Sequence, residues 1–172
     1  MYVVLMAMLA LNVSTEVLDG FSIVEDSLNR TTANSSAENN AIYSDFADQM
    51  KQNPTKVREW FEKAKQVKDM SDALYNFAQE LKVAIVKEAD GKNGDVSNIK
   101  NKENLEAAGI VMLAPGTGKG KKLYRELNRY RDRILELVTD EHQKKSIASN
   151  FSTQVPKSEK YLGKNWQEDM FE

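Results

Sequence analysis

Few residues in this chain could do chemistry, and their spacing argues against most of what they could do. Gly116-Thr117-Gly118-Lys119-Gly120-Lys121 has the look of a phosphate cradle. A nucleotide-binding P-loop sets its second glycine five positions after the first, follows it with Lys, and then needs Ser or Thr for magnesium. Here Gly116 to Gly120 is one residue short, and Lys122 stands where the hydroxyl belongs. The stretch therefore reads as a glycine loop that its lysines keep solvated. His142 is the single histidine and directly follows Glu141. A carboxylate di-metal bundle needs Glu-x-x-His pairs on two helices, so this histidine reads as a solvated helix residue. Glu16, Asp19, Glu25 and Asp26 lie mostly along one helix face rather than in a loop of calcium spacing. With no cysteine, thiolate chemistry and disulfide stapling are both excluded. No catalytic, metal or cofactor site is expected.

Charge names no partner either. Lysine and arginine number 24 against 26 acidic residues, a net charge of -2 that supports no nucleic-acid stripe. At 172 residues the chain suits one ordinary domain with an appendage.

The elements around these residues are helical. Met1 to Leu11 is apolar apart from the Tyr2 hydroxyl, and no Lys or Arg occurs before Arg30. The run is short for a membrane span and lacks both the basic opening and the cleavage site of a signal peptide. Beyond it, Val17, Phe21, Val24 and Leu28 step four, three, four, keeping one apolar stripe on a helix. The acidic polar face argues for an exit away from the cytoplasm, with the N-terminus inside. Thr31 to Asn40 has weak helix propensity but no breaker, so this helix can run on to Gln52 as one rod.

A second helix is expected from Pro54 to about Glu88, carrying Trp60, Phe61, Leu74, Phe77 and Leu81 on a core-facing stripe. A third is expected from about Lys121 to Val138, with Leu123, Leu127, Tyr130, Ile134 and Leu137 as a bundle seam. It can resume through Glu141 to Asn150 after an N-cap at Asp140. Asp90 to Asn98 and Ala114 to Gly120 read as surface loops. The tail from Phe151 reads as a linker, although Tyr161, Leu162, Trp166, Met170 and Phe171 are apolar enough to dock on a neighbour. The expected fold is all-α: an N-terminal transmembrane helix and its exit over residues 1–24, a periplasmic helical bundle over 25–150, and a linker over 151–172.

The order Tyr2, Ala7, Leu9-Ala10-Leu11-Asn12-Val13-Ser14, Glu16, Leu18 and Phe21 resembles the membrane signature of the GldM/PorM family, inner-membrane proteins of the Bacteroidetes type IX secretion and gliding motor. Family members carry a short basic cytoplasmic segment ahead of this stretch, so the chain resembles one that begins inside the span. The resemblance implies that two copies set their membrane helices inside a pentameric ring of a GldL/PorL partner, and that proton flow rotates one against the other. Tyr2, Val3, Leu5, Met6, Met8, Leu9, Asn12 and Val13 would face that ring. Asn12 is suited to helix pairing, because an amide at the edge of a span needs a partner. Val17, Phe21, Val24, Leu28, Trp60, Phe61, Leu74, Phe77, Leu81, Leu123, Leu127 and Ile134 would form a homodimer or bundle core that carries torque. Downstream domains would reach outer-membrane-associated secretion components.

Two other classes fit the pattern of helices. A single-span sensor or receptor also sets a periplasmic helical bundle after its span, and a second span would mark it. A secreted helical adhesin or binding domain would require cleavage of the N-terminus.

Overall fold

The computed structural model describes residues 15–155 and 163–172, and these are all-α with connecting loops. The elements are α1 (Thr15–Gln52), α2 (Pro54–Asp90), α3 (Ala107–Leu113), α4 (Gly120–Leu137), α5 (Glu141–Asn150) and α6 (Trp166–Phe171). The chain divides into two compact units, Met1–Ala64 and Lys65–Glu172, with α2 running through the division.

The all-α expectation holds, but its transmembrane part is corrected. No helix among the described residues is long and apolar enough to cross a membrane. The reason is visible in α1, where Val17, Phe21, Val24 and Leu28 occupy one stripe and Glu16, Asp19, Glu25 and Asp26 occupy the other faces. A helix charged on most of its circumference cannot face hydrocarbon. Tyr2, Val3, Leu5, Met6, Met8, Leu9, Asn12 and Val13 lie outside the described residues.

In the first unit, α1 runs unbroken for 38 residues, about 57 Å at 1.5 Å per residue. In its polar middle, hydroxyls bond back to the preceding turn. Thr31 Oγ1 donates to Ser27 O at 3.0 Å and Thr32 Oγ1 to Leu28 O at 2.8 Å. From Glu16 to Gln52 no residue of α1 is buried. At the junction, Asn53 N donates to Gln49 O at 2.9 Å, and Asn53 O accepts from Val57 N at 3.2 Å. These bonds flank Pro54, which has no N–H to give and opens α2 where that donor would be orphaned in any case.

The second unit holds the core. Leu81 and Val86 on α2, Ala107 and Met112 on α3, and Ile134 on α4 are its buried hydrophobics. Short α3 is entered through Asn104, whose side-chain oxygen accepts from Glu106 N at 3.1 Å and Ala107 N at 3.0 Å. Asp140 caps α5 as expected, its carboxylate accepting from Gln143 N at 2.7 Å. α6 opens with a capping box in which Asn165 Oδ1 accepts from Glu168 N at 3.1 Å and Glu168 Oε2 accepts from Asn165 N at 2.9 Å. α3, α4 and α6 pack together, and Trp166 meets Tyr124 at 5.9 Å and Phe171 at 6.2 Å between ring centroids.

Candidate interaction surfaces

Two surfaces stand out among these elements, an exposed helix stripe and an open groove. The first is the stripe on α1. Val17, Phe21, Val24 and Leu28 are all exposed, Phe21 to 67% and Leu28 to 62%. Single exposed hydrophobics are ordinary, but these four lie in register on one helix face and form an uncovered apolar stripe. Ile42 is exposed farther along, and Trp60 on the first turns of α2 is 55% exposed with the Lys63 ammonium 4.7 Å from its ring centroid. Lys63 also pairs with Glu59 at 2.7 Å, which holds that carboxyl below its usual range through the hydrogen bond first and the charge second.

A second surface is a groove of about 410 Å³ between α2 and α4. Met70, Ala73, Leu74 and Phe77 form its apolar wall on α2, facing Lys122, Glu126, Arg129 and Tyr130 of α4. Two contacts fasten the helices across it. Ser71 Oγ and Tyr130 Oη share a hydrogen bond at 2.9 Å, and the Lys122 ammonium sits 4.4 Å from the Phe77 ring centroid. Ser71 is held for this role because its hydroxyl also bonds Val67 O at 2.8 Å.

The expected bundle core therefore separates by depth. Leu81 at 5% exposure and Ile134 at 8% are true core residues. Phe61, Leu74, Phe77, Leu123 and Leu127 are half-buried, while Trp60 and the α1 stripe face outward. Ala107 and Met112 were not anticipated, although the apolar run Ala107–Leu113 after a capping Asn104 was the signal for them. Gly118 and Gly120 are close-packed rather than simply solvated. A Cβ at Gly118 would lie 2.7 Å from Met112 O, and one at Gly120 would lie 2.8 Å from the same oxygen. Lys119 N donates to Val111 O at 3.1 Å, so this glycine run folds its backbone onto α3 and is spent on packing rather than on a phosphate.

The long loop after α2 is organised by carboxylates. Gly91, at a φ of 86°, ends the helix in a backbone conformation that glycine alone adopts freely. Asp90 accepts main-chain hydrogen bonds from Lys100 N and Asn101 N, each at 2.8 Å. Those two bonds hold the Asp90 carboxyl below its ordinary range. Asp95 is lowered in the same way by the main-chain and hydroxyl donors of Ser97. At the other end of the unit, the hydrogen bond to Glu172 raises the Lys164 ammonium. Among the described residues there is no cluster of His, Asp and Glu that could hold a metal ion.

The model of the GldM N-terminal domain matches residues 16–172. The chain belongs to the GldM family. The match covers every described helix, apart from the first residue of α1. No curated protein matches the chain. Members of the GldM family are non-catalytic scaffold or motor components associated with the inner membrane, and they act with GldL-type partners. The resemblance in residues 2–21 and the match from residue 16 onward meet in Glu16, Leu18 and Phe21 on the first turns of α1.

Proposed function

We propose that this chain is the shaft subunit of an ion-driven inner-membrane motor that energises type IX secretion and gliding, in the manner of PorM. In this reading two copies pair through the α1 stripe and the outward faces of α2 and α4, and a GldL/PorL-type ring of five subunits surrounds the pair. Residues 25–150 act as the periplasmic bundle that carries torque. The observation that carries the proposal is the uncovered apolar stripe of Val17, Phe21, Val24 and Leu28 on a helix about 57 Å long in which nothing from Glu16 to Gln52 is buried.

Such a helix gains little from its own fold, since most helical stability in proteins comes from burying an amphipathic face. A second copy supplies that burial, and a stiff paired rod is what torque transmission needs. Two copies within a five-fold ring cannot satisfy five identical faces at once, so no single orientation is deeply preferred and stepping barriers stay low.

The test is co-purification from native membranes, followed by secretion assays. A GldL-type partner should copurify at about five copies per two of this chain, and Phe21→Asp should abolish both secretion and self-association. Recovery without such a partner, or secretion unchanged in Phe21→Asp, would refute the reading.

A further inference from the structure

α4 carries six cations, and four of them are already engaged. Arg129 pairs with Glu126, Arg131 with Asp132 and Arg133 with Glu136, while Lys122 lies over Phe77. The remaining two, Lys121 and Arg125, make no ion pair among the described residues. They stand one helical turn apart, and both line the same groove of about 560 Å³. Its other walls are Tyr124 and Trp166, which meet at 5.9 Å between centroids, together with Thr153 and Gln167.

Of the acidic groups nearest the groove in sequence, Glu126 pairs with Arg129 at 3.3 Å and Glu168 accepts from Asn165 N at 2.9 Å, while Asp169, with Glu172, acts on the Lys164 ammonium. The Thr153 hydroxyl donates to Asn128 Oδ1 at 3.0 Å, which leaves its lone pairs open to a donor. The Gln167 carboxamide has no hydrogen-bond partner among the described residues.

We infer that this groove binds an extended acidic peptide segment of a partner protein, with carboxylates of alternate residues on Lys121 and Arg125 and the methylene stems of those same side chains against Tyr124 and Trp166. The spacing suits that ligand. Cations four positions apart on a helix are separated by about 6 Å along its axis. Alternate side chains of an extended strand that point to one side are about 6.8 Å apart, and the residue between them points away. An arginine beside aromatic rings also favours a planar carboxylate over a spherical anion. Gln167 and Thr153 offer a donor and an acceptor to the main chain of the bound segment. Because the two cations are exposed, salt weakens the interaction.

The experiment titrates the full 172-residue chain with a fluorescein-labelled peptide of four Glu-Leu repeats and reads anisotropy. Intrinsic fluorescence of a Trp60→Phe chain reports Trp166 alone, since these are the two tryptophans. Saturable binding is expected, with a Trp166 emission change, a loss of at least tenfold in Lys121→Gln/Arg125→Gln, and a severalfold loss in Trp166→Leu. Lys121→Glu/Arg125→Glu should instead prefer a peptide of four Lys-Leu repeats, a reversal that a misfolded protein cannot give. Circular dichroism melts of the double variants should match the parent. Absence of binding at millimolar peptide, equal binding of the two peptides by the parent, unchanged affinity in the double glutamine variant, or full displacement by inorganic phosphate at matched ionic strength would overturn the inference.

Discussion

Replacing Phe21 by alanine separates self-association from folding more cleanly than any other change in this chain. The ring is 67% exposed. An aromatic side chain can bury about 200 Å², so roughly 130 Å² of it is available to a second copy. At about 25 cal/mol per Å² this is about 3 kcal/mol per copy, or roughly a hundredfold in the dissociation constant. Both copies lose the ring, so a rise of at least about a hundredfold is expected. The single chain should hardly notice, because alanine is the better helix former and Phe21 contributes to no buried core. Sedimentation velocity over a concentration series in density-matched mild detergent reads the association, and a circular dichroism melt reads the helix. Dimerisation unchanged within about twofold would refute the stripe as a pairing surface. A collapse of helicity in the variant would instead mean that Phe21 supports the fold of its own chain.

The remaining predictions concern the second unit. Leu81→Ala, at a position 5% exposed in a thin core, should cost about 3 kcal/mol and lower its melting temperature by about 12 °C, read by calorimetry. Gly118→Ala places a Cβ within 2.7 Å of Met112 O and 2.8 Å of Ala114 O, so the turn onto α3 must shift. A destabilisation of roughly 1–3 kcal/mol is expected from a denaturant titration. The Asp90 carboxyl titrates below its ordinary range because Lys100 N and Asn101 N donate to its charged form. Its stabilising contribution is therefore complete above the unfolded carboxyl value of about 3.9 and fades as pH falls through that value toward the lower folded one. Protection of the Lys100 and Asn101 amides, measured as exchange relative to the intrinsic rate at each pH, should fall across that window in the parent, and should already be low at pH 7 in Asp90→Ala.

The long helices were legible in sequence because their period is sustained. Pro54 to Glu88 was read from one apolar stripe, and α2 ends two residues later at Asp90, where Gly91 turns the chain. Asp140 was legible as a cap because its residue type and its position before a polar helix agree. α3 and α6 were not legible, at 7 and 6 residues, because fewer than two turns hold too few positions to show a period. Their identity comes from packing. Gly109 sits within helical α3 where a Cβ would stand 3.3 Å from Phe171 O, a long-range approach that no local pattern encodes. The depth of each candidate residue was likewise hidden, since Leu81 and Trp60 share the same stripe and only the neighbours supplied by α3 and α4 distinguish core from surface. The membrane expectation was drawn from the apolar run of residues 1–11. Helix α1, with acidic residues around its stripe, does not extend it.

The central claim, that the α1 stripe faces a second copy of the chain, is open to one direct measurement. The chain has no cysteine, so single thiols can be placed on a silent background in otherwise native membranes. A disulfide forms only where two Cβ atoms come within about 4.5 Å. Oxidation of Leu28→Cys should give a covalent dimer in high yield, while Asp26→Cys on the opposite face should stay monomeric. Equal yields at the two positions, or no dimer at Leu28→Cys in cells that still secrete, would contradict the account.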